Sequence, residues 1–189
     1  MSILYYSALT SPFGELALVW HKGAGGARLR QGFLSSSTVS ALQRLRAAYG
    51  EVPLRSCPAM DDLADRLLRF LSGEPLRFDL GLADMDACSA FQRRVLLAEY
   101  DVPRGRVTTY GALAAGVSAP GAARAAGSAL ARNPFPLLIP CHRAVRNDGR
   151  TGGYQGGPAM KRRLLEMEGV PFLADGRVDL DRALHAPGT

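Results

Sequence analysis

The sequence predicts an α+β protein with two domains. The first third has short β-type segments separated by glycine-rich turns, which is typical of a small antiparallel sheet. Later apolar residues follow a helical spacing, and two short helical segments there are joined by a tight turn. We therefore expect an N-terminal α+β domain with a three-stranded antiparallel sheet over 1–83, linker included. A mostly helical domain of the winged helix-turn-helix type is expected over 84–172, and a tail over 173–189.

The N-terminal sheet is predicted from three segments. Branched and aromatic residues fill 3–9, a turn signal lies in 10–14, and apolar residues alternate with others over 16–20. This pattern is typical of a hairpin. Glycines in 23–26 mark another turn, after which 27–33 can return as a third strand.

Two helices and a linker are expected to complete the first domain. Apolar residues have helical spacing over 39–49 and again over 58–71. Residues 72–87 contain glycine, proline and aspartate without a clear period, and we interpret them as the linker.

The second domain is predicted to begin with a helix and to continue into a helix-turn-helix. Ser89 followed by Gln92 matches a capping box, which predicts a helix start. A short helix is expected over 109–115, and Pro120 is expected to open another through Ala131, because proline favours the first helical position. Nearly all side chains of the helix predicted over 120–131 are small, which suits either close packing or deep entry into a DNA groove.

A candidate reactive segment follows. The apolar residues 137–139 are expected to form a buried strand that leads to Cys141. A glycine-rich loop over 149–157 comes next. The last helix is expected from Pro158 to Gly169, with proline at its start and glycine at its end.

Composition narrows the class of function. Hydrophobic residues make up 47% and charged residues 21% of the 189 residues, which indicates a globular protein rather than a disordered one. No apolar run is long enough to cross a bilayer, and there is no secretion signal, so we expect a cytoplasmic protein. The net charge is +6, and residues 103–170 hold ten Lys and Arg against three Asp and Glu. This excess favours a polyanionic partner such as nucleic acid.

Three cysteines are present, at positions 57, 88 and 141. Their odd number, wide spacing and lack of a C-x-x-C motif argue against a disulfide framework and against a zinc site, so we expect no metal. We interpret Cys57 and Cys88 as small buried hydrophobic residues.

Cys141 is a candidate nucleophile, because His142 and Arg143 follow it directly. A positive neighbour or a base lowers the pKa of a thiol, and His142 can take the proton directly or through water. A carboxylate is expected to orient that histidine. The residues alone leave three candidates for it: Asp148, Glu166 and Glu168.

The signature of the O6-alkylguanine-DNA alkyltransferases is similar to the segment over 133–157, NPFPLLIPCHRAVRNDGRTGGYQGG. The similarity extends upstream through FQRRVLLAEYDVPRGRVTTYGALA and downstream through KRRLLEMEG, and it covers 86–170. The resemblance implies a monomeric DNA repair protein without a cofactor, whose helix-turn-helix lies in the minor groove. Its first domain would be ribonuclease H-like. It would flip O6-alkylguanine, and O4-alkylthymine, out of duplex DNA and move the alkyl group to its own cysteine once.

The resemblance also assigns the reacting groups. Cys141 is implied to be the nucleophile and alkyl acceptor, His142 the water-linked base, and Glu168 the carboxylate behind that base. Asn133 matches the hinge asparagine that braces the helix-turn-helix against the active-site strand.

DNA contacts follow from the same resemblance. Tyr110 matches the tyrosine that turns the target phosphate and helps to seat the flipped guanine. Arg124 matches the arginine finger that fills the vacated stack. Tyr154 and Gln155 lie where the family's pocket loop contacts the base.

Some family features are missing from this sequence. The zinc ligands that some members carry in the first domain are absent, and so is the cysteine-rich sensor domain of some bacterial members. We therefore expect no metal and no transcriptional control. Three other functions compete: a lesion binder that does not transfer the alkyl group, a helix-turn-helix regulator, and a cysteine hydrolase. The reactive cysteine argues against the first, the Pro-Cys-His-Arg motif against the second, and the helix-turn-helix against the third.

Overall fold

A computed structural model describes residues 3–185 of the chain. It divides into two compact units. The first unit holds the described residues up to Ala87 together with Pro134–Leu138. The second unit holds Cys88–Asn133 and the described residues from Ile139 onward. The segment 134–138 was predicted to belong to the second domain, and its place in the first unit is not visible in the sequence pattern.

The first unit contains the predicted three-stranded antiparallel sheet. Strands β1, β2 and β3 are neighbours in chain order, and each pairs with the next in antiparallel register. Two helices, α1 and α2, follow, and α2 has the bounds that the apolar spacing predicted. The elements are β1 Leu4–Ser11, β2 Gly14–Gly23, β3 Gly26–Leu34, α1 Ala41–Tyr49 and α2 Pro58–Leu71.

One core cluster of this unit forms between the sheet and α1. Alternating residues of β2 and β3 point to one face of the sheet, where Ala17, Val19 and Phe33 are buried. Ala41 and Leu45, one helical turn apart on α1, complete the cluster. The predicted linker is ordered and includes two 3₁₀ turns, over 80–82 and 85–87.

Helix capping differs from the prediction. The reciprocal capping box lies at α1, where the Gln43 amide N–H donates to Ser40 Oγ at 3.1 Å and the Ser40 N–H donates to Gln43 Oε1 at 2.8 Å. At the predicted box only half is present, because Ser89 Oγ accepts from the Gln92 N–H at 3.2 Å. The Gln92 side chain instead donates to two backbone carbonyls elsewhere in its unit, those of residues 129 and 132.

The second unit is mostly helical, with one short parallel strand pair. Strand β4 pairs with β5, so that Thr108 lies opposite Ala144. The elements are α3 Ala90–Tyr100, β4 Thr108–Thr109, α4 Tyr110–Gly116, α5 Ala123–Ala131, β5 Ala144–Val145, α6 Pro158–Met167 and α7 Leu180–Ala183.

Helices α4 and α5 pack on each other as the predicted helix-turn-helix. The turn between them passes through Ser118, which has a positive φ of 59°. Pro120 was predicted to open the second helix, and this is wrong, since α5 begins at Ala123. Gly121 has a φ of 82°, a left-handed conformation that a right-handed helix cannot contain, and the proline therefore belongs to the turn.

The strand predicted over 137–139 is also absent. Leu137 has a φ of 73°, which breaks an extended run, and a 3₁₀ turn follows over Cys141–Arg143. The predicted tail is packed rather than separate over 173–185, where Val178 and Ala183 are buried in a cluster that includes Leu165. Residues 186–189 of that predicted tail lie outside the described residues. Within 3–185, no helix is both long and apolar enough to cross a membrane.

We expect Gln92→Ala to lower the free energy of unfolding by about 1–2 kcal/mol, because two backbone carbonyls at the end of α5 lose their donor. The measurement is urea unfolding followed by far-UV circular dichroism, because the single tryptophan lies in the first unit and reports on that unit only. The matched control is Gln43→Ala, which removes an exposed amide and should cost about 0.5 kcal/mol. Equal losses of unfolding free energy in the two variants would show that the Gln92 hydrogen bonds do not stabilise the packing of α3 on α5.

Candidate active site

Cys141 begins the 3₁₀ turn and is held by its backbone. Its N–H donates to the Ile139 carbonyl at 2.8 Å, and the Arg143 N–H donates to the Pro140 carbonyl at 2.8 Å. The side-chain amide of Asn133 also donates to the Ile139 carbonyl, at 3.1 Å. Asn133 thereby joins the two ends of the intervening loop. These hydrogen bonds fix the backbone at Cys141, whose side chain is only 9% exposed.

The surroundings of Cys141 oppose ionisation of its thiol. Burial raises the pKa of the Cys141 thiol to about 11, and a hydrogen bond with Asn133 lowers it by less. The thiol is therefore protonated at neutral pH. Since the thiolate is the nucleophilic form, alkyl transfer at this cysteine needs a base or a nearby cation.

Glu168 is the carboxylate that the structure places beside His142. His142 Nε2 lies 3.1 Å from Glu168 Oε1, and both side chains are fully buried. The other two candidates, Asp148 and Glu166, form ion pairs with arginines at partly exposed positions. The geometry therefore selects Glu168 from the three carboxylates that the residues alone left open.

Arg143 is a buried member of this network that the sequence analysis named only as a neighbour of the cysteine. Its Nε donates to Glu168 Oε2 at 2.8 Å and its Nη2 to Glu168 Oε1 at 2.7 Å, a bidentate pair. Its Nη1 donates to the Val102 carbonyl at 2.6 Å. A sequence signal was available, because a carboxylate buried with a histidine needs a cation, and Arg143 belongs to the same motif.

These contacts set the charges of the network. Burial raises the pKa of Glu168, but His142 and Arg143 outweigh it, so that the pKa falls to about 2. Burial lowers the pKa of His142, and Glu168 opposes this only in part. At neutral pH the site therefore holds a carboxylate and a neutral imidazole. With Nε2 bonded to Glu168, Nδ1 is the nitrogen that can accept a proton.

Tyr154 lies against the imidazole, whereas Gln155 lies half-buried in the turn before α6. The rings of Tyr154 and His142 meet edge to face, with centroids 6.2 Å apart. Tyr154 Oη is buried and has no hydrogen-bond partner among the described residues. Burial, together with Cys141 and Glu168, raises the pKa of Tyr154 well above its ordinary value. Its hydroxyl is therefore a neutral donor near the thiol.

A groove of about 700 Å³ lies beside α5 in the second unit. Its walls include Tyr110, Arg124, Arg146 and Gly152. Gly152 has a φ of 73°, and a Cβ there would lie 2.8 Å from Tyr110 Oη, so only glycine fits. Burial raises the pKa of Tyr110 to about 12, which keeps its hydroxyl protonated. Arg124 is exposed at this groove.

Lys161 is a further buried charge that the sequence analysis missed. Its Nζ donates to the Ala144 carbonyl at 2.6 Å, to the Gly153 carbonyl at 3.3 Å and to Tyr110 Oη at 3.5 Å. The lysine thus joins α6 to β5, to the glycine-rich loop and to the groove.

The other cysteines differ from each other. Cys88 is buried, as predicted, but Cys57 is half-exposed at the start of α2, so its interpretation as a buried residue is wrong. Within residues 3–185, no group of three or more His, Cys, Asp or Glu is arranged to hold a metal ion.

Comparison with known proteins identifies the family. The model for 6-O-methylguanine DNA methyltransferase, DNA binding domain, matches residues 90–170. The methylated-DNA–protein-cysteine methyltransferase of Mycobacterium tuberculosis is 34% identical over 169 residues, which cover 88% of this chain and 93% of that protein. The chain belongs to this family. The family member from Methanothermobacter thermautotrophicus is 52% identical over 112 residues, which are 59% of this chain and 62% of that protein, less than two thirds of it.

Solved structures of family members agree with this fold. The Mycobacterium tuberculosis O6-methylguanine methyltransferase has a TM-score of 0.71 and 33% identity, and the match covers 88% of this chain and 93% of that one. The Mycobacterium tuberculosis OGT in complex with DNA has a TM-score of 0.69 and 33% identity, over 87% and 92% of the two chains.

We expect Glu168→Gln to lower the free energy of unfolding at pH 7 by on the order of 3 kcal/mol, because the buried side chains of His142 and Arg143 lose their ionised carboxylate partner. The folded pKa of about 2 lies below the ordinary value of 4.5. Ionised Glu168 therefore stabilises the fold above that ordinary value, and this contribution is lost as pH falls from about 5 towards 2. The measurement is urea unfolding at a series of pH values, in which the variant should have the flatter profile.

Glu166→Gln is the control for this prediction, since it removes a half-exposed carboxylate two residues away. It should change the free energy of unfolding by about 0.5 kcal/mol or less. A Glu168→Gln profile that is parallel to that of the unsubstituted protein would contradict an ionised, paired Glu168.

Proposed function

We propose that this protein repairs duplex DNA containing O6-alkylguanine, and O4-alkylthymine, by moving the alkyl group to its own Cys141. The observation that carries the proposal is a buried cysteine whose neighbour His142 is neutral and bonded to an ionised carboxylate. Family membership supports the same reaction, because relatives over most of the chain are named methylated-DNA–protein-cysteine methyltransferases.

The proposed reaction is an in-line displacement at the alkyl carbon. The Cys141 proton leaves to His142 Nδ1, directly or through water, and Glu168 stabilises the imidazolium that forms. The thiolate forms a carbon–sulfur bond while the carbon–oxygen bond to O6 breaks, and the electron pair stays on the guanine. The guanine then takes up a proton, so that the thiol proton is replaced on sulfur by the alkyl group. Tyr110, whose hydroxyl is protonated before the reaction, is the proposed donor, and the proton that His142 took from Cys141 then restores this hydroxyl through solvent.

The reaction is proposed to occur once per molecule. The product is a thioether, which is a poor leaving group, and the proposed mechanism contains no second nucleophile to release it. The protein is therefore consumed in a stoichiometric reaction and needs no cofactor. The proposed active form is a monomer on duplex DNA. The proposed location is the cytoplasm, where a reducing environment keeps a single-use thiol intact.

The groove beside α5 is the proposed DNA-binding surface. The O6 position is buried in a duplex, so the base must be flipped out, at a cost of a few kcal/mol. The small side chains of α5 allow close approach in the minor groove, and Arg124 is proposed to fill the vacated stack. Tyr110 is proposed to turn the target phosphate. Tyr154 and Gln155 are proposed to contact the flipped base, and Asn133 to brace the turn that carries Cys141.

A lesion binder that does not transfer the alkyl group is the alternative. It would use the groove and the base pocket but would not need the buried thiol with its histidine and carboxylate. A helix-turn-helix regulator would need neither the thiol nor its histidine and carboxylate. A cysteine hydrolase would turn over repeatedly on activated esters.

We expect incubation with duplex DNA that holds one O6-methylguanine to add about one methylene to Cys141, with no further turnover on excess DNA. Intact mass followed by peptide mapping measures both. Cys141→Ser, which replaces the thiol by a poorer nucleophile, should show no gain. Tight lesion binding without a mass gain on any cysteine would favour the alternative, and a gain on Cys57 or Cys88 would overturn the site.

We expect Arg124→Ala to slow methyl transfer from duplex DNA by about tenfold, because the flipped state loses the side chain that fills the stack. Transfer from the free O6-methylguanine base should not change, since that reaction requires no flipping. Single-turnover rates on the two substrates test this, with Arg182→Ala, an exposed arginine of α7, as the control. An equal loss on both substrates would show that Arg124 acts on the chemical step or the fold instead.

A further inference from the structure

Glu99 is a buried acid that the proposed reaction does not use. It lies on the buried face of α3, which packs against the turn that carries Cys141, and its exposed fraction is 0%. Neither carboxyl oxygen has a hydrogen bond of normal geometry among the described residues. A buried polar group without such a partner is costly, and in a folded protein it requires a specific explanation.

Lys161 is a second buried ionisable group in the same unit as Glu99. It is also fully buried, and its three donors go to two backbone carbonyls and the Tyr110 hydroxyl, none of which carries a charge. Three occupied acceptors fit the ammonium form. Glu99 and Cys141 are the two acidic groups that act on Lys161 through space, and each raises the pKa of Lys161 by less than burial lowers it.

Several charged or titratable groups act on Glu99 from the elements packed around it. Burial raises the pKa of Glu99 to about 8, Glu168 adds to this effect, and the Lys161 and Arg143 cations and the Ala144 amide oppose it. Burial lowers the pKa of Lys161 to about 8. Both groups therefore change charge in the same pH interval. Glu99 in turn opposes ionisation of two groups at the site, Cys141 and Tyr110.

We propose that Glu99 is a positioning residue that, together with the buried Lys161, controls how readily the Cys141 thiol ionises as the pH changes. This inference rests on the proposed role of Cys141 as nucleophile. Below about pH 8 Glu99 is neutral and Lys161 is an ammonium, and the net positive charge favours the thiolate. Above that pH Glu99 is a carboxylate and Lys161 loses its proton, and both changes disfavour the thiolate. The two groups together therefore limit the gain in thiolate that a rising pH would give an isolated thiol.

The test is the pH dependence of Cys141 reactivity in Glu99→Gln, which keeps the shape of the side chain and removes its charge. At pH 9 methyl transfer from duplex DNA should be about tenfold faster than in the unsubstituted protein, as expected for a thiol pKa lower by about one unit. At pH 6.5, where Glu99 is already neutral, the two rates should agree within about twofold. In a Lys161→Met background the difference at pH 9 should shrink, because one of the two groups is gone.

A second readout does not depend on DNA. Alkylation by iodoacetamide, mapped to Cys141 by peptide mass, should show the same shift with pH. If the unsubstituted protein gains no methyl group on Cys141 from DNA, the proposed function fails, while the iodoacetamide profile still decides the role of Glu99. Glu166→Gln, with the same change of charge at an exposed position, should leave both profiles unchanged.

Glu99→Leu guards against a folding defect, since an apolar side chain of similar size suits a buried position. It should give the same pH profile as Glu99→Gln. A purely structural role would change the melting temperature of these variants but leave both pH profiles parallel to that of the unsubstituted protein, and that result would overturn the inference.

Discussion

The ionised carboxylate of Glu168 is the constraint on which the active site depends. Glu168 follows directly after α6, where the unpaired carbonyls of a helix end carry partial negative charge and oppose an acid. Burial adds a second cost. The bidentate contact of Arg143 and the imidazole of His142 offset both, so the end of α6 and the turn over 141–143 form one unit. Since Cys141 begins that turn, the place of its thiol, the proposed nucleophile, follows from the need to neutralise Glu168.

Burial of the Cys141 thiol helps one requirement of the reaction and opposes another. A single-use reagent has to keep its cysteine intact until a lesion arrives, and a protonated, buried thiol resists oxidation. Transfer needs the thiolate, which burial disfavours. The proposed mechanism meets both demands, because the proposed acceptor His142 is neutral while the thiol is protonated at rest. Ionisation then depends on proton transfer to His142 and not on a low pKa of the thiol itself.

The sequence predicted those elements whose causes are local. The helix over 58–71 was predicted in full, because proline at its start and leucines at helical spacing act within one segment. Predictions failed where a backbone conformation decided the outcome. Helix α5 begins late because Gly121 has a left-handed backbone conformation. The strand predicted over 137–139 does not form because Leu137 has a left-handed conformation, which leucine rarely adopts. At the site, residue chemistry left three carboxylates open, and only a contact across 26 positions of the chain separates Glu168 from the other two.

Lys161 shows that one signal in the sequence was available but not used. Of the 23 basic residues, all but Lys22 and Lys161 are arginine, so a lysine in this chain stands against a strong compositional trend. The structure gives the reason. Three oxygens converge on one compact ammonium, a geometry that the planar guanidinium fork of arginine cannot match. Lysine also loses its proton more readily when buried, whereas arginine stays charged. A position whose cation donates to three converging acceptors therefore favours lysine, even in a chain that otherwise uses arginine.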